Sequence, residues 1–154
     1  MILKIGCIVE GQGEVAAVPV LIRRIAAERY PEMVIDIHRP IRVKRTQVVQ
    51  PDQLEHEVEL AVQRIGGNGA IFIILDSDDD CPAQLGPALL YRASQVRDNL
   101  PIAVVLAKRE LEAWFLAAAE SLRGQRGLKN DIDSPDNRLW CARQGTSTKV
   151  EKRH

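Results

Sequence analysis

The chain has 154 residues, 45% of them apolar and 27% charged, with a formal net charge of zero. That describes about one globular domain with a sizeable core, and it excludes an overall basic field drawing the protein onto nucleic acid or membrane. Aromatic residues make up 4% of the chain, too few for a surface built on stacked bases.

Ile2 to Val9 is an apolar run that predicts a strand buried on both faces. At its N-terminal end it is too short to span a bilayer and lacks a signal peptide's basic front and cleavage site. The run breaks at Glu10-Gly11-Gln12-Gly13-Glu14, where glycine permits a tight turn. Val18, Leu21, Ile22, Ile25 and Ala26 then share one helical face. Pro19 suits only a first turn, which predicts a helix start at Ala17 or Val18. Val34 to Val43 has strand character broken by Pro40, which predicts an edge strand or two short pieces. It leads through Arg39, Arg42, Lys44 and Arg45, the densest basic cluster before the tail. Asp52 and Glu55 have capping-box spacing ahead of a helix with Leu54, Val58, Ala61, Val62 and Ile65 inward.

Ala70 to Cys81, AIFIILDSDDDC, is the most informative stretch. A continuous apolar run meets Asp76, Asp78, Asp79 and Asp80. A helix from about Ala83 to Arg97 follows, with Leu89, Leu90, Ala93 and Val96 inward. Pro101 to Ala107 predicts another buried strand, ending in Lys108-Arg109-Glu110-Leu111-Glu112. Leu111, Trp114, Phe115, Ala118 and Leu122 share a helical face, and Trp114 and Phe115 have core spacing. Residues 124–154 read as a polar tail in which Trp140 alone could dock. Cys7, Cys81 and Cys141 are widely spaced and form no CxxC pair, so neither a zinc site nor a disulfide framework is indicated. Cys7 reads as a small core residue and the compartment as reducing cytoplasm.

Strands alternate with helices four times, predicting an α/β fold: a three-layer, Rossmann-like, mainly parallel sheet with helices on both faces. In such a sheet the carboxyl ends of the strands share one edge. Glu10 and Glu14, Asp76 and Asp78, and Glu110 and Glu112 would therefore converge there. Crowded carboxylates need a cation, and oxygen donors suit a hard divalent metal. A solvated acidic loop is the plain alternative.

The V-E-G-x-G-E turn after the first strand and the later L-D-x-D resemble the TOPRIM domain of topoisomerases, bacterial primases, small ribonucleases and overcoming-lysogenization-defect nucleases. R-E-L-E-A-W-F-L further resembles an uncharacterised TOPRIM-like family of small bacterial proteins, some associated with phage defence. The resemblance spans residues 1–122 and places a TOPRIM-like domain over 1–123. It implies a metal-dependent phosphoryl-transfer enzyme, a nuclease using Mg2+ or Mn2+. Glu10 would be the catalytic glutamate, as ligand or proton acceptor. Glu14, Asp76, Asp78 and either Glu112 or Glu110 would be metal ligands, Glu112 being favoured. The implied substrate is DNA or RNA, with a homo-oligomer or an ATPase as a further partner.

Arg39, Arg42, Lys44, Arg45 and Lys108 are candidate contacts to its phosphates, with Arg123, Arg126 and Lys129 a second patch. His38, His56, Tyr30 and Tyr91 have no catalytic context. Ser77 has no partner base. Two other functions compete: a non-catalytic TOPRIM-like module making metal-dependent contacts, and a nucleotide-binding protein using Gly11-Gln12-Gly13 at a helix N-terminus. The second lacks the GxxxxGK[ST] signature.

Overall fold

The computed structural model describes residues 2–109 together with Leu111, Trp114 and Ala118. The chain divides into two compact units, Met1–Leu111 and Glu112–His154. In the second unit the Ala118 amide donates to the Trp114 carbonyl at 3.1 Å, one helical turn, and Trp114, expected in a core, is exposed. The expectations for Phe115, Leu122, Trp140, the second basic patch and the 124–154 tail fall outside the described residues.

The first unit runs β1 (Ile2–Val9), α1 (Gln12–Arg29), β2 (Val34–Ile37), β3 (Ile41–Arg42), α2 (Arg45–Val48), α3 (Gln53–Arg64), β4 (Ala70–Asp76), α4 (Pro82–Val96) and β5 (Ile102–Ala107). Every strand pairing is parallel, in the order β2-β1-β4-β5. β2 pairs with the first half of β1 and β3 with its last two residues, Ile8↔Ile41 and Val9↔Arg42. The proline-broken segment is thus two short pieces of one edge. Pro40 has no N–H for the ladder, and the chain resumes pairing one residue later.

Alternation along the two central strands sends side chains to two cores. Ile8, Ile71, Ile73 and Leu75 pack under Val48, Leu54, Val58, Ala61, Leu89 and Ala93 of α2, α3 and α4. Cys7, Val9 and Ile74 pack with Val18 and, at its margin, Val15 and Ile22 of α1. The fold is therefore a mixed α/β sheet with helices on both faces. Burial pushes the Cys7 thiol up to about 11, so it remains protonated as a core residue. Ile25 and Leu90, expected inward, are exposed; in α4 the inward positions are Leu89 and Ala93, and Leu90 lies beside them on the solvent flank.

Three local features depart from the sequence expectations. α1 begins at Gln12, with Pro19 inside it. The Glu14 carboxylate accepts the N–H of the N-cap residue Gly11, which favours a start at Gln12, five residues before Ala17. Asp52 makes no cap bond; its backbone is left-handed, φ 64°, and Glu55 faces Arg92 instead. The short helix α2 has no periodicity from which it could be foreseen.

Arg92 of α4 secures α2. Its Nε and one terminal nitrogen donate to both Glu55 oxygens at 2.7 Å each, and its two terminal nitrogens reach the carbonyls of Val48, Val49 and Gln50 at 3.2, 3.4 and 2.7 Å. A planar fork is required to serve all of these acceptors. Arg92→Ala is expected to destabilise the protein by about 2–3 kcal/mol, with Arg92→Lys recovering only part. Chemical denaturation measures both. The guanidinium beside Glu55 holds its carboxyl below the usual range, so this contribution is present above the unfolded pKa and lost as pH falls through the folded one.

Gly69, where the chain enters β4, has φ +146°, and an added Cβ would run into the Lys4 carbonyl. Gly69→Ala should cost about 1–3 kcal/mol or more, read in the same denaturation experiment. A neutral result would show that this approach of β1 and β4 can relax.

Candidate functional site

The chain leaves β1 for β2 and β3 on one side and later returns to add β4 on the other. The sheet order therefore reverses between β1 and β4, the kind of switch point beyond whose carboxyl strand ends α/β sheets bind ligands. Glu10 follows β1 and Asp76 ends β4, so these two stand at that switch point. The Asp76 N–H donates to Glu10 Oε2 at 3.2 Å. Asp76 Oδ1 accepts the Leu111 N–H at 2.8 Å, which ties the end of β4 to the segment after β5.

Glu10 is half-buried. Its carboxyl is held above the ordinary range, first by burial and then by the negative charge of Asp78 and Glu14; the Asp76 amide and Arg45 oppose the rise. Glu14 is 7% exposed and bound to the Gly11 N–H, so it is a helix-start residue standing behind Glu10.

The turn after β4 is built by its backbone. The Ser77 amide donates to the Ala107 carbonyl at 2.9 Å, the Asp78 amide to the Arg109 carbonyl at 3.1 Å, and the Asp80 amide to the Ser77 carbonyl at 2.9 Å. The fully buried Ser77 hydroxyl accepts the Arg109 N–H at 2.9 Å. Ser77 thus continues the β4–β5 ladder past the last paired residues, the structural role that its lack of a partner base left open. Asp78 and Arg109 both adopt left-handed backbone, with φ 48° and 64°. At Asp78 this conformation accompanies the turn that carries Asp79 and Asp80 past the strand end.

Arg45, the first residue of α2, meets this turn. Its terminal nitrogens pair with Asp78 Oδ2, at 3.1 Å, and with Asp80 Oδ2. Its side chain is 16% exposed, and its Nε is buried without a hydrogen-bond partner among the described residues. An unmet buried donor costs about 1–3 kcal/mol, so the guanidinium is held by its two ends and left unsatisfied at its root. Arg109 stands 3.6 Å from Asp79. Arg45, Asp78, Asp79, Asp80 and Arg109 line an open cleft of about 420 Å³.

The other candidate phosphate contacts occupy the same edge. Arg39 lies between β2 and β3, Lys44 precedes α2, Lys108 follows β5, and all three are exposed. Arg42 is exposed on β3, and its Nε donates to the Glu10 carbonyl at 3.1 Å, bracing the end of β1. Arg45, expected among these contacts, faces carboxylates. Nothing in the local sequence announces that pairing, which spans 33 residues.

Glu10, Asp76 and Asp78 offer only carboxylate oxygen, donor chemistry that fits Mg2+ or Mn2+. Burial, and after it the charges of Asp78 and Glu14, disfavour the ionised Glu10 carboxyl, a cost that a cation would relieve. Among the described residues no three His, Cys, Asp or Glu side chains are gathered into a group able to hold a metal. Asp78 is paired with Arg45, and Glu110 and Glu112 fall outside the described residues.

A carboxyl whose folded pKa is raised binds its proton more tightly in the folded state. Its ionised form therefore weakens the fold as pH rises through the folded pKa, and the penalty is absent below the unfolded value. With chelator present, Glu10→Gln should melt above wild type at pH 7, the difference vanishing near pH 3.5, below the ordinary glutamate pKa of about 4.3. A difference that persists unchanged at both pH values would assign the effect to packing.

A family model described as "Domain of unknown function (DUF4276)" matches residues 9–139. No curated protein and no solved structure matches the chain.

Proposed function

The chain belongs to the DUF4276 family, whose model covers most of its length, and we propose that it is a TOPRIM-like, divalent-metal-dependent phosphoryl-transfer enzyme that hydrolyses nucleic-acid phosphodiesters. The observation that carries this reading is the position of Glu10 and Asp76. They stand at the strand ends where the sheet order reverses, joined by the 3.2 Å bond. Position, donor chemistry and like-charge crowding together favour a cation there.

Asp76 and Asp78 would hold the ion, with Glu14 and Glu112 or Glu110 as further ligands and Glu10 as ligand or proton acceptor. Bound Mg2+ or Mn2+ supplies charge neutralisation at the phosphate and an activated water. The residues of the chain supply the rest. Glu10, half-buried beside Asp76, is the candidate proton acceptor where it does not itself ligate the ion. The Asp76 amide orients the Glu10 carboxylate, and the Leu111 amide orients that of Asp76. Arg39, Lys44 and Lys108, exposed on the same edge, receive the phosphates on either side of the scissile bond. A role in phage defence, with an ATPase or a second copy as partner, belongs to the same proposal through the resemblance.

One observation favours a second reading, a metal-dependent binding module without turnover: Arg45 is already ion-paired with Asp78 and Asp80. The two readings separate in one experiment. Thermal unfolding with millimolar Mg2+ or Mn2+ should rise in wild type, by an amount corresponding to about 2.7 kcal/mol when metal is 100 times its dissociation constant. Asp76→Asn should abolish the rise and lower cleavage of single- and double-stranded DNA and RNA by about 100-fold or more. A metal-dependent rise with no cleavage of any of these substrates selects the binding module. No rise and no cleavage removes both readings.

A further inference from the structure

We propose that Asn68-Gly69, at the entry to β4, is a site of spontaneous covalent modification: the Gly69 nitrogen attacks the Asn68 carboxamide, and the chain matures into aspartyl and isoaspartyl forms. The inference is independent of the metal reading, since Asn68 lies at the opposite end of β4 from Asp76.

The local structure leaves this pair open to reaction. Asn68 is exposed, between the end of α3 and the first residue of β4. The Gly66 and Gly67 amides close α3 by donating to the Gln63 and Val62 carbonyls at 3.0 and 2.9 Å, and the ladder with β1 begins at Ala70, opposite Ile5. Between these two frameworks, neither the Asn68 nor the Gly69 N–H donates to an acceptor among the described residues. The attacking nitrogen is therefore not engaged in holding the fold, and a residue without Cβ leaves it uncrowded. Of the asparagines at 68, 99, 130 and 137, only Asn68 precedes glycine. The fold also keeps the pair in place. Gly69 has φ +146°, and a Cβ there would run into the Lys4 carbonyl, so the geometry that requires glycine is what leaves Asn68 beside an unshielded amide.

The chemistry needs only water. Solvent base takes the Gly69 amide proton, and the nitrogen bonds to Asn68 Cγ. The side-chain nitrogen leaves as ammonia, and a five-membered cyclic imide remains. Water then opens the imide at either carbonyl. Opening at Cγ restores the peptide and leaves an aspartate. Opening at the main-chain carbonyl carbon leaves Gly69 joined through Cγ, with one more atom in the main chain. The net change is one water consumed and one ammonia released, the reaction that makes asparagine thermolabile.

The two products differ in effect. The aspartyl form keeps the backbone and adds a negative charge to an exposed turn. The isoaspartyl form lengthens the chain directly ahead of the Gly69 approach to Lys4 and the Ala70↔Ile5 register. Ile65 and Ile71 are buried on either side, so the close-packed surroundings have no room for the extra atom.

The test ages the full chain by warming it at mildly acidic and mildly alkaline pH, folded and in denaturing urea, with Asn68→Asp and Asn68→Ser beside it. Peptide mapping by mass spectrometry, with electron-transfer fragmentation to separate aspartyl from isoaspartyl, reads the products. Asn68 should convert before the other three asparagines, and faster at alkaline pH, because the attack needs the deprotonated amide. The folded rate should lie within about tenfold of the rate in urea, as for a turn that opens locally at little cost. Freshly made Asn68→Asp should melt with the wild type. Aged wild type should develop a lower-melting fraction in proportion to its isoaspartyl content, and aged Asn68→Ser should not.

Conversion first at another asparagine overturns the proposal. Folded conversion slowed much beyond tenfold overturns it too, because the turn would then shield the amide. An isoaspartyl fraction that melts with the wild type overturns the destabilising consequence, since the entry to β4 would have absorbed the added atom.

Discussion

Negative charge gathered at one edge of an apolar parallel sheet is the constraint to which the surrounding structure responds. β1 and β4 are buried on both faces, so neither can move to separate the carboxylates at their ends. The crowding is relieved locally instead. Glu10 accepts the Asp76 amide, Asp76 accepts the Leu111 amide, Glu14 turns back to the Gly11 amide, and Arg45 spans Asp78 and Asp80. Each of these carboxylates is thereby given a donor, and burial still holds the Glu10 carboxyl above its ordinary range.

Arg45 connects this edge to the rest of the molecule. It begins α2, whose buried Val48 belongs to the core and whose end is held by Arg92, itself paired with Glu55 of α3. A chain of polar contacts therefore runs from the acidic turn through α2 to the α3–α4 layer. Two kinds of arginine occupy it. Arg92 satisfies five acceptors and acts as a permanent brace, whereas Arg45 leaves a buried donor unmet.

The strands were legible because each is an apolar run bounded by turn residues: Ile2 to Val9, Ala70 to Asp76 and the run after Pro101 all appear where periodicity places them. The broken edge at Pro40 was legible for the same local reason. The start of α1 was misplaced because Pro19 is a strong local signal, while the Glu14 contact that overrides it becomes visible only once the turn is folded. The Asp52–Glu55 spacing misled because a tertiary partner, Arg92, took the glutamate. At the candidate site, the convergence of Glu10 with Asp76 followed from parallel topology. The engagement of Arg45 with Asp78 and Asp80 did not, since it joins residues 33 and 35 positions apart through side-chain geometry alone.

By itself the sequence determined the α/β class, the alternation of elements, the two-sided burial of the central strands and the acids that strand ends would bring to one edge. These follow from short-range rules: hydrophobic period, proline and glycine punctuation, and the shared edge of parallel strands. Tertiary structure alone decided that the order reverses between β1 and β4, which places Glu10 and Asp76 at the switch point, and that Arg45, expected among the phosphate contacts, would face the aspartates. Strand order and long-range ion pairs depend on which surfaces are left to be buried and which charges to be compensated after the elements have packed, and no local pattern encodes that remainder.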